Sequence, residues 1–298
     1  MRAVVTGGCG FIGSHLVDRL IEQDHEVMVI DNESSDAHDN FYYNNDAEYI
    51  WYDIADYHQI EHLFEGVDYV FHLAAEARIQ PAIENPTLAI RTNVAGTCNV
   101  LQASRKHGVK RVMYSSTSSA YGLINEPPLL ETMPRDCLNP YSVSKCAGED
   151  LCRMYWDLFG LETIIFRYFN VYGERQPTKG QYAPVIGVFQ RQISEGKPMT
   201  VVGDGLQTRD YVHVSDVVNA NILASQVNYP EAIGQVFNIG TGTSHSVIDL
   251  ADMMGGANTQ VVHVEQRPGE ARHTAANIFK AQRILGWHPE VRLEDWLT

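Results

Sequence analysis

The chain has 298 residues, 44% of them apolar, with 22 basic against 37 acidic residues and a formal net charge of −15. That length builds one large domain or two sharing a core, and so acidic a chain lacks the basic face that a nucleic-acid backbone requires. No apolar run approaches the roughly 20 residues that span a bilayer, which leaves small molecules, anionic ones included, as the expected partners.

Met1-Arg2-Ala3-Val4-Val5 has neither the charged nor the apolar region of a signal peptide. The five cysteines (Cys9, Cys98, Cys137, Cys146, Cys152) are odd in number and form no CxxC pair, so reduced thiols and a cytoplasmic location are expected. The twelve histidines contain no HExxH and no Cys/His cluster, so no metal is expected, and His72 and His213 read as packed or surface residues.

In chain order, Ala3 to Thr6, Glu26 to Ile30, Tyr49 to Tyr52, Tyr69 to Leu73 and Arg111 to Ser115 read as strands. Helical periodicity runs between them near Ile12 to Gln23, Tyr57 to Phe64 and Val94 to His107. This alternation predicts an α/β fold with a doubly wound, Rossmann-type parallel sheet covered on both faces. A long helix at Tyr141 to Phe159 and a strand at Glu162 to Arg167 follow. After Asn170, glycine and proline become frequent and the elements shorten. Residues 1–169 are therefore expected to form the dinucleotide-binding domain, with 211–239 returning to its sheet. Residues 170–298 mainly form a smaller α/β substrate region on the strand ends.

Thr6-Gly7-Gly8-Cys9-Gly10-Phe11-Ile12-Gly13 follows the first strand and opens the first helix. Glycines 7, 10 and 13 allow a tight turn, close approach of backbone to a pyrophosphate at the helix N-terminus, and close helix–sheet packing. Asp31, at the end of the second strand, is placed to accept the ribose hydroxyls and repel a 2′-phosphate, so NAD is expected over NADP. Asp53 reads either as an adenine neighbour or as a cap of the helix that follows.

Tyr141-Ser142-Val143-Ser144-Lys145 sets a phenol and an ammonium four apart on one helix face. A phenol with a pKa of about 10 is a poor base at neutral pH unless a nearby cation favours its phenolate. Upstream, Ser115 to Gly122 is a hydroxyl-rich strand end facing the same crevice.

Taken together, these motifs, with His72-Leu73-Ala74-Ala75, Arg167 to Gly173, Arg209 to His213 and Arg267 to Glu270, resemble the extended short-chain dehydrogenase/reductase family over nearly the whole chain. The nearest resemblance is to UDP-sugar 4-epimerases, particularly the UDP-N-acetylglucosamine type. It implies that Tyr141 is the base on the sugar 4-hydroxyl, that Lys145 holds the nicotinamide ribose, and that Thr117 bonds the 4-oxygen. It implies an NAD site of Gly7, Gly10, Phe11, Ile12, Gly13, Asp31, Asn32, Asp53, Ile54, Leu73, Ala74, Ala75, Asn93, Ser115, Tyr141, Lys145 and Tyr168. For the UDP-sugar it implies Thr117, Ser118, Ser119, Asn170, Arg209, Arg267, Glu270 and Thr274, the two arginines gripping the diphosphate. A homodimer through the helices near Val94 to His107 and Tyr141 to Phe159 is expected on the same basis.

Relatives that dehydrate or decarboxylate the sugar carry an acid just after the strand-end threonine; this chain has Ser118 and Ser119. Without that acid, the expected fate of a 4-keto sugar is rotation and reduction on its other face. A bulky tyrosine at the position of Thr274 confines the family's site to glucose and galactose, so a threonine is expected to admit a 2-acetamido group. Glu270 stands where the family usually has Asp, and the chain stops at Thr298 where relatives usually continue through another helix. The alternatives are a UDP-glucuronate 4-epimerase, a net nucleotide-sugar reductase, and a non-catalytic NAD-binding protein.

Overall fold

The first half of the chain does alternate strand and helix in the computed structural model, which describes residues 1–35, 38, 40–179, 183–255, 260–265 and 271–297. β1 (Arg2–Thr6), α1 (Phe11–Glu22), β2 (Glu26–Asp31) and β3 (Glu48–Trp51) come first. α2 (Tyr57–Ile60) tightens into a 3-10 turn before β4 (Tyr69–His72). α3 (Ile79–Glu84) and α4 (Pro86–Ile90) lead through a π-helical turn at Arg91–Gly96 into α5 (Thr97–Lys106). β5 (Arg111–Thr117), α6 (Pro140–Phe159) and β6 (Glu162–Tyr168) complete this half. The rest comprises β7 (Asn170–Tyr172), α7 (Val185–Ser194), β8 (Met199–Val202), β9 (Thr208–His213) and α8 (Val214–Gln226). Then follow β10 (Gln235–Ile239), β11 (Ser244–Ser246), α9 (Val247–Gly255), β12 (Val261–Val264), α10 (Phe279–Leu285) and α11 (Leu293–Leu297).

The main sheet has the order β10-β6-β5-β4-β1-β2-β3, and every pairing in it is parallel. The order reverses between β1 and β4, which opens a crevice at the carboxyl ends of those strands. Register brings Thr6 beside both Ile30 and His72, and Thr117 beside Tyr168. β9 does not join this sheet. It pairs with β7 and β11 in a small sheet over the strand ends, while β8 and β12 form a third.

Alternate residues of each central strand feed opposite faces, as a period of two requires. Val4, Val70, Val112 and Ile165 pack toward α5 and α6, with Leu101 and Tyr155. Val5, Phe71, Met113 and Phe166 pack toward α1 and α8, with Leu16 and Val217. The second cluster is sealed by Trp287, just after α10, which is 0% exposed. Its indole donates to the Asp216 carbonyl at 2.8 Å, and the Asp216 carboxylate accepts the backbone N–H of Glu290 and Val291. The segment after α10 is thus pinned onto α8, and through α8 onto the sheet.

Helix α6 is sharply defined. Asn139 and Ser142 form a reciprocal capping box, Pro140 occupies the first turn, and Gly160 ends the helix at φ 71°. Gly148 lets the helix press onto β5, since a Cβ there would lie 2.1 Å from the Tyr114 hydroxyl.

Replacing Trp287 with alanine empties a fully buried indole site and is expected to cost ~3–5 kcal/mol. The check is a urea unfolding curve, with the midpoint falling and the slope preserved.

Candidate active site

A cavity of about 500 Å³ runs along the carboxyl ends of β1, β2, β4, β5 and β6. Gly7, Gly10, Phe11, Ile12, Gly13, Asp31 and Asn32 line one end; Ser115 to Ser119, Tyr141, Lys145, Tyr168 and Asn170 line the other. Asp53, Ile54, Leu73, Ala74 and Ala75 lie along it, with Glu76, Arg78 and Ile79 on the adjoining loop.

At the first end, Gly7 has φ +73°, and a Cβ there would lie 2.7 Å from the Ala74 nitrogen. A Cβ on Gly13 would come within 2.1 Å of the Gly7 carbonyl oxygen. Only glycine fits either place. Gly10 starts α1 with no side chain capping it, so the positive end of the helix faces the cavity. Asp31 accepts the Cys9 and Glu33 backbone N–H groups at 3.0 and 2.9 Å, which fixes its carboxylate at the tip of β2. Close backbone, an uncapped helix end and an oriented carboxylate together fit a dinucleotide. Asp53 pairs with Arg91 at 2.9 Å and accepts the Ala55 N–H at 2.9 Å, so it is a tied-down wall residue rather than the cap of α2, whose first position follows Asp56.

Asn93 lies behind this wall, not on it. Its amide oxygen accepts the Glu76 N–H, and its NH2 donates to the Glu76 carbonyl and the Ser144 hydroxyl. A second buried chain runs alongside. The Ala74 N–H donates to the Thr6 hydroxyl, which bonds His72 Nδ1 at 2.7 Å. His72 Nε2 meets the Thr97 hydroxyl at 2.9 Å, and that hydroxyl donates to the Asn93 carbonyl. With Thr97 committed as donor, His72 carries its proton on Nε2 and accepts from Thr6 on Nδ1. Burial and the Lys145 charge hold its pKa down at about 3, so the ring stays neutral and the wall loop keeps its position across the physiological range.

At the other end, α6 sets Tyr141 half-buried and Lys145 buried against the strand end of β5. Burial pushes the Tyr141 phenol above its usual value, while a hydrogen bond with Thr117 pulls it down. The Thr117 hydroxyl thus adds a pull on this phenol that the sequence expectation, resting on the Lys145 ammonium and the cofactor, did not include. Lys145 places its ammonium 4.5 Å from the centre of the Tyr114 ring. Burial lowers the Lys145 pKa to about 8. Tyr168 is held by Ser115 and Asn221 at 3.2 and 2.8 Å, and burial raises it to about 12, so it stays protonated.

Beneath them lies a buried ion pair that sequence reasoning missed. Arg167 donates to both oxygens of Glu149 at 2.9 and 2.7 Å, and the Ser116 hydroxyl donates to Glu149 at 2.6 Å. The available signal was spacing: Glu149 lies four residues past Lys145 on the same face of α6.

Two outer cavities adjoin. One, of about 200 Å³, is lined by Ser118, Ser119, Asn170, Arg209 and Thr274 among others. Among the described residues the buried Thr274 hydroxyl has no hydrogen-bond partner. The second, of about 470 Å³, shares Asn170 and Arg209. Asp210, beside Arg209, binds these loops together: its carboxylate accepts the N–H groups of Thr241, Gly242 and Ala276 and the Thr241 hydroxyl. Sequence reading did not single it out. Arg267 and Glu270, expected at the diphosphate, lie outside the described residues.

The five cysteines carry no disulfide. Among the described residues no helix is long and apolar enough to cross a membrane, and no group of three or more His, Cys, Asp or Glu side chains is arranged for a metal.

Comparison with known proteins agrees with this geometry. A putative UDP-glucose 4-epimerase from Methanocaldococcus jannaschii is 39% identical over 297 residues, covering 98% of this chain and 94% of that protein. The structure of a Thermotoga maritima UDP-glucose 4-epimerase with UDP-glucose superposes with a TM-score of 0.94 at 37% identity, covering 100% of this chain and 96% of that one. A Methanobrevibacter ruminantium UDP-N-acetylglucosamine 4-epimerase in complex with UDP-N-acetylmuramic acid gives 0.92 at 32% identity, covering 99% and 95%. The model of the NAD dependent epimerase/dehydratase family matches residues 3–240, and this chain, with its NAD-type dinucleotide cleft, belongs to that family.

Proposed function

We propose that this protein interconverts UDP-hexoses that differ at C4, with NAD retained at the end of the cleft formed by Gly7, Gly10, Gly13 and Asp31. The observation that carries this reading is the pairing of Thr117 and Tyr141 beside the cavity, with serines and no carboxylate at positions 118 and 119. NAD held by Gly7, Gly10, Gly13 and Asp31 would supply reversible hydride chemistry at C4, with no net oxidation. Tyr141 receives the proton of the 4-hydroxyl as general base, and Thr117 steadies both the phenol and the sugar oxygen. The buried Lys145 and the positive nicotinamide together supply the cation that burial of the phenol demands. Ser118 and Ser119 provide hydroxyls for the sugar but no acid or base for loss of water or carbon dioxide.

Asn170 and Arg209, shared between compartments, fit a diphosphate, and anchoring it there leaves the sugar free to turn about its link to the phosphate. Arg267 and Glu270 are assigned to the same anchor by resemblance alone. In the 200 Å³ cavity, Thr274 stands where a bulky tyrosine would fill the space, and the small side chain leaves room for a 2-acetamido group. A homodimer through α5 and α6 is consistent with Val143 and Leu158 on α6, which are 46% and 69% exposed.

Proton NMR of UDP-N-acetylglucosamine and of UDP-glucose, each incubated with the purified protein and no added NAD, should reveal the C4 epimer. A dehydrated or decarboxylated product would overturn the reading. Tyr141→Phe should lower turnover by about 10²–10⁴.

Lys145 gives the pH dependence a sign. Its folded pKa of about 8 lies below the ordinary lysine value, so its charge is present at pH 7 and lost as pH rises through 8. The kcat/KM profile should therefore fall above about pH 8, and in Lys145→Arg, whose guanidinium keeps its proton, that limb should vanish at reduced turnover. Thr274→Tyr should abolish turnover of UDP-N-acetylglucosamine while sparing UDP-glucose; equal loss of both would remove the pocket argument.

A further inference from the structure

The 470 Å³ cavity contains a cation that the chemistry above leaves unused. All three cavities share Asn170, whereas Arg209 lines only the outer two. The 470 Å³ cavity borders the catalytic cleft through Asn170, Val171 and Pro184, and borders the 200 Å³ cavity through Asn170 and Arg209. If the sugar lies by Tyr141 and the diphosphate by Arg209, as the proposed function requires and this inference assumes, the nucleoside falls here.

One wall is a stripe of α7, Val185, Val188, Arg191 and Gln192, the spacing that shares a helix face. Val202 and Val264 line it from β8 and β12. Gln192 is turned to β8, donating to the Thr200 hydroxyl at 2.8 Å and accepting the Thr200 N–H at 3.0 Å. Among the described residues the Arg191 guanidinium makes no hydrogen bond and no ion pair; Glu195, one turn on, feels its charge but is bonded to Lys197 at 2.7 Å. Arg191 lines this cavity and neither of the other two.

We propose that Arg191 reads the nucleobase. A flat ring between valine side chains, entering from the Arg209 side, presents to Arg191 the edge opposite its bond to ribose. In uracil that edge carries the C4 carbonyl, an acceptor for the guanidinium; in cytosine it carries an amino group, a donor that the guanidinium repels. Arg191 thereby selects UDP-linked over CDP-linked sugars.

The test is calorimetric titration of the purified protein with UDP and with CDP, neither of which reacts. Wild type should bind UDP more tightly than CDP. Arg191→Leu should weaken UDP by about tenfold or more, the worth of a hydrogen bond to a charged donor, and change CDP by less than roughly twofold. Arg191→Gln, closer in shape, gives the same comparison if the leucine variant folds poorly. Equal losses for UDP and CDP would place Arg191 on the diphosphate that both share, and an unchanged UDP affinity would leave it no role; either overturns the assignment alone. Failure of wild type to bind UDP at all would overturn the UDP-sugar reading with it.

Discussion

The buried contact between Glu149 and Arg167 holds the reacting end of this molecule together. It ties the middle of α6 to β6, and through Ser116 to the end of β5, so the helix bearing Tyr141 and Lys145 cannot slide along the sheet. A buried ion pair adds little net stability, because desolvation offsets the attraction, but breaking one strands a charge at a cost of about 3–5 kcal/mol. Its effect is to penalise every alternative register of α6 rather than to stabilise the chain as a whole. The capping box at Asn139 and the close approach at Gly148 act on the same helix from its start and its flank.

Electrostatics follow the same local logic. A chain of net charge −15 is poorly suited at long range to an anionic ligand, yet its cleft offers an uncapped helix end, and its outer compartments offer Arg209 and Arg191. At separations of a few ångströms in a partly dry site, such groups outweigh a diffuse surface charge that salt screens within ~10 Å. The same dryness lowers Lys145 and raises Tyr141. The phenol is thus an inert acid in the protein alone, which makes its ionisation depend on what else occupies the cleft.

Much of the architecture was legible because it rests on short-range rules. Short β-branched runs alternating with helices specify a parallel sheet covered on both faces, and the assembled sheet then sets Thr6 beside Ile30 and His72. The cofactor turn was legible for the same reason: glycines at fixed spacing after a strand have few other uses. Less legible was the second half. Residues 211–239 are expected to return to the main sheet, and β10 does, but the chain turns at His213, whose ring caps α8 while β9 departs to a separate sheet. That choice depends on which strand edge is available, a property of the assembled layers.

The sequence by itself determined the α/β class, the dinucleotide turn, the position of Asp31 and the Tyr141–Lys145 face, because each is written within one element or one turn. Only the tertiary structure decided which side chains are spent and which remain available. It commits Asn93 to the back of the wall, pairs Asp53 with Arg91, hydrogen-bonds Thr117 to the phenol and, among the described residues, leaves the Arg191 guanidinium without a partner. Hydrogen-bond partners come from residues distant in the chain, and their supply is settled only when the layers close on one another.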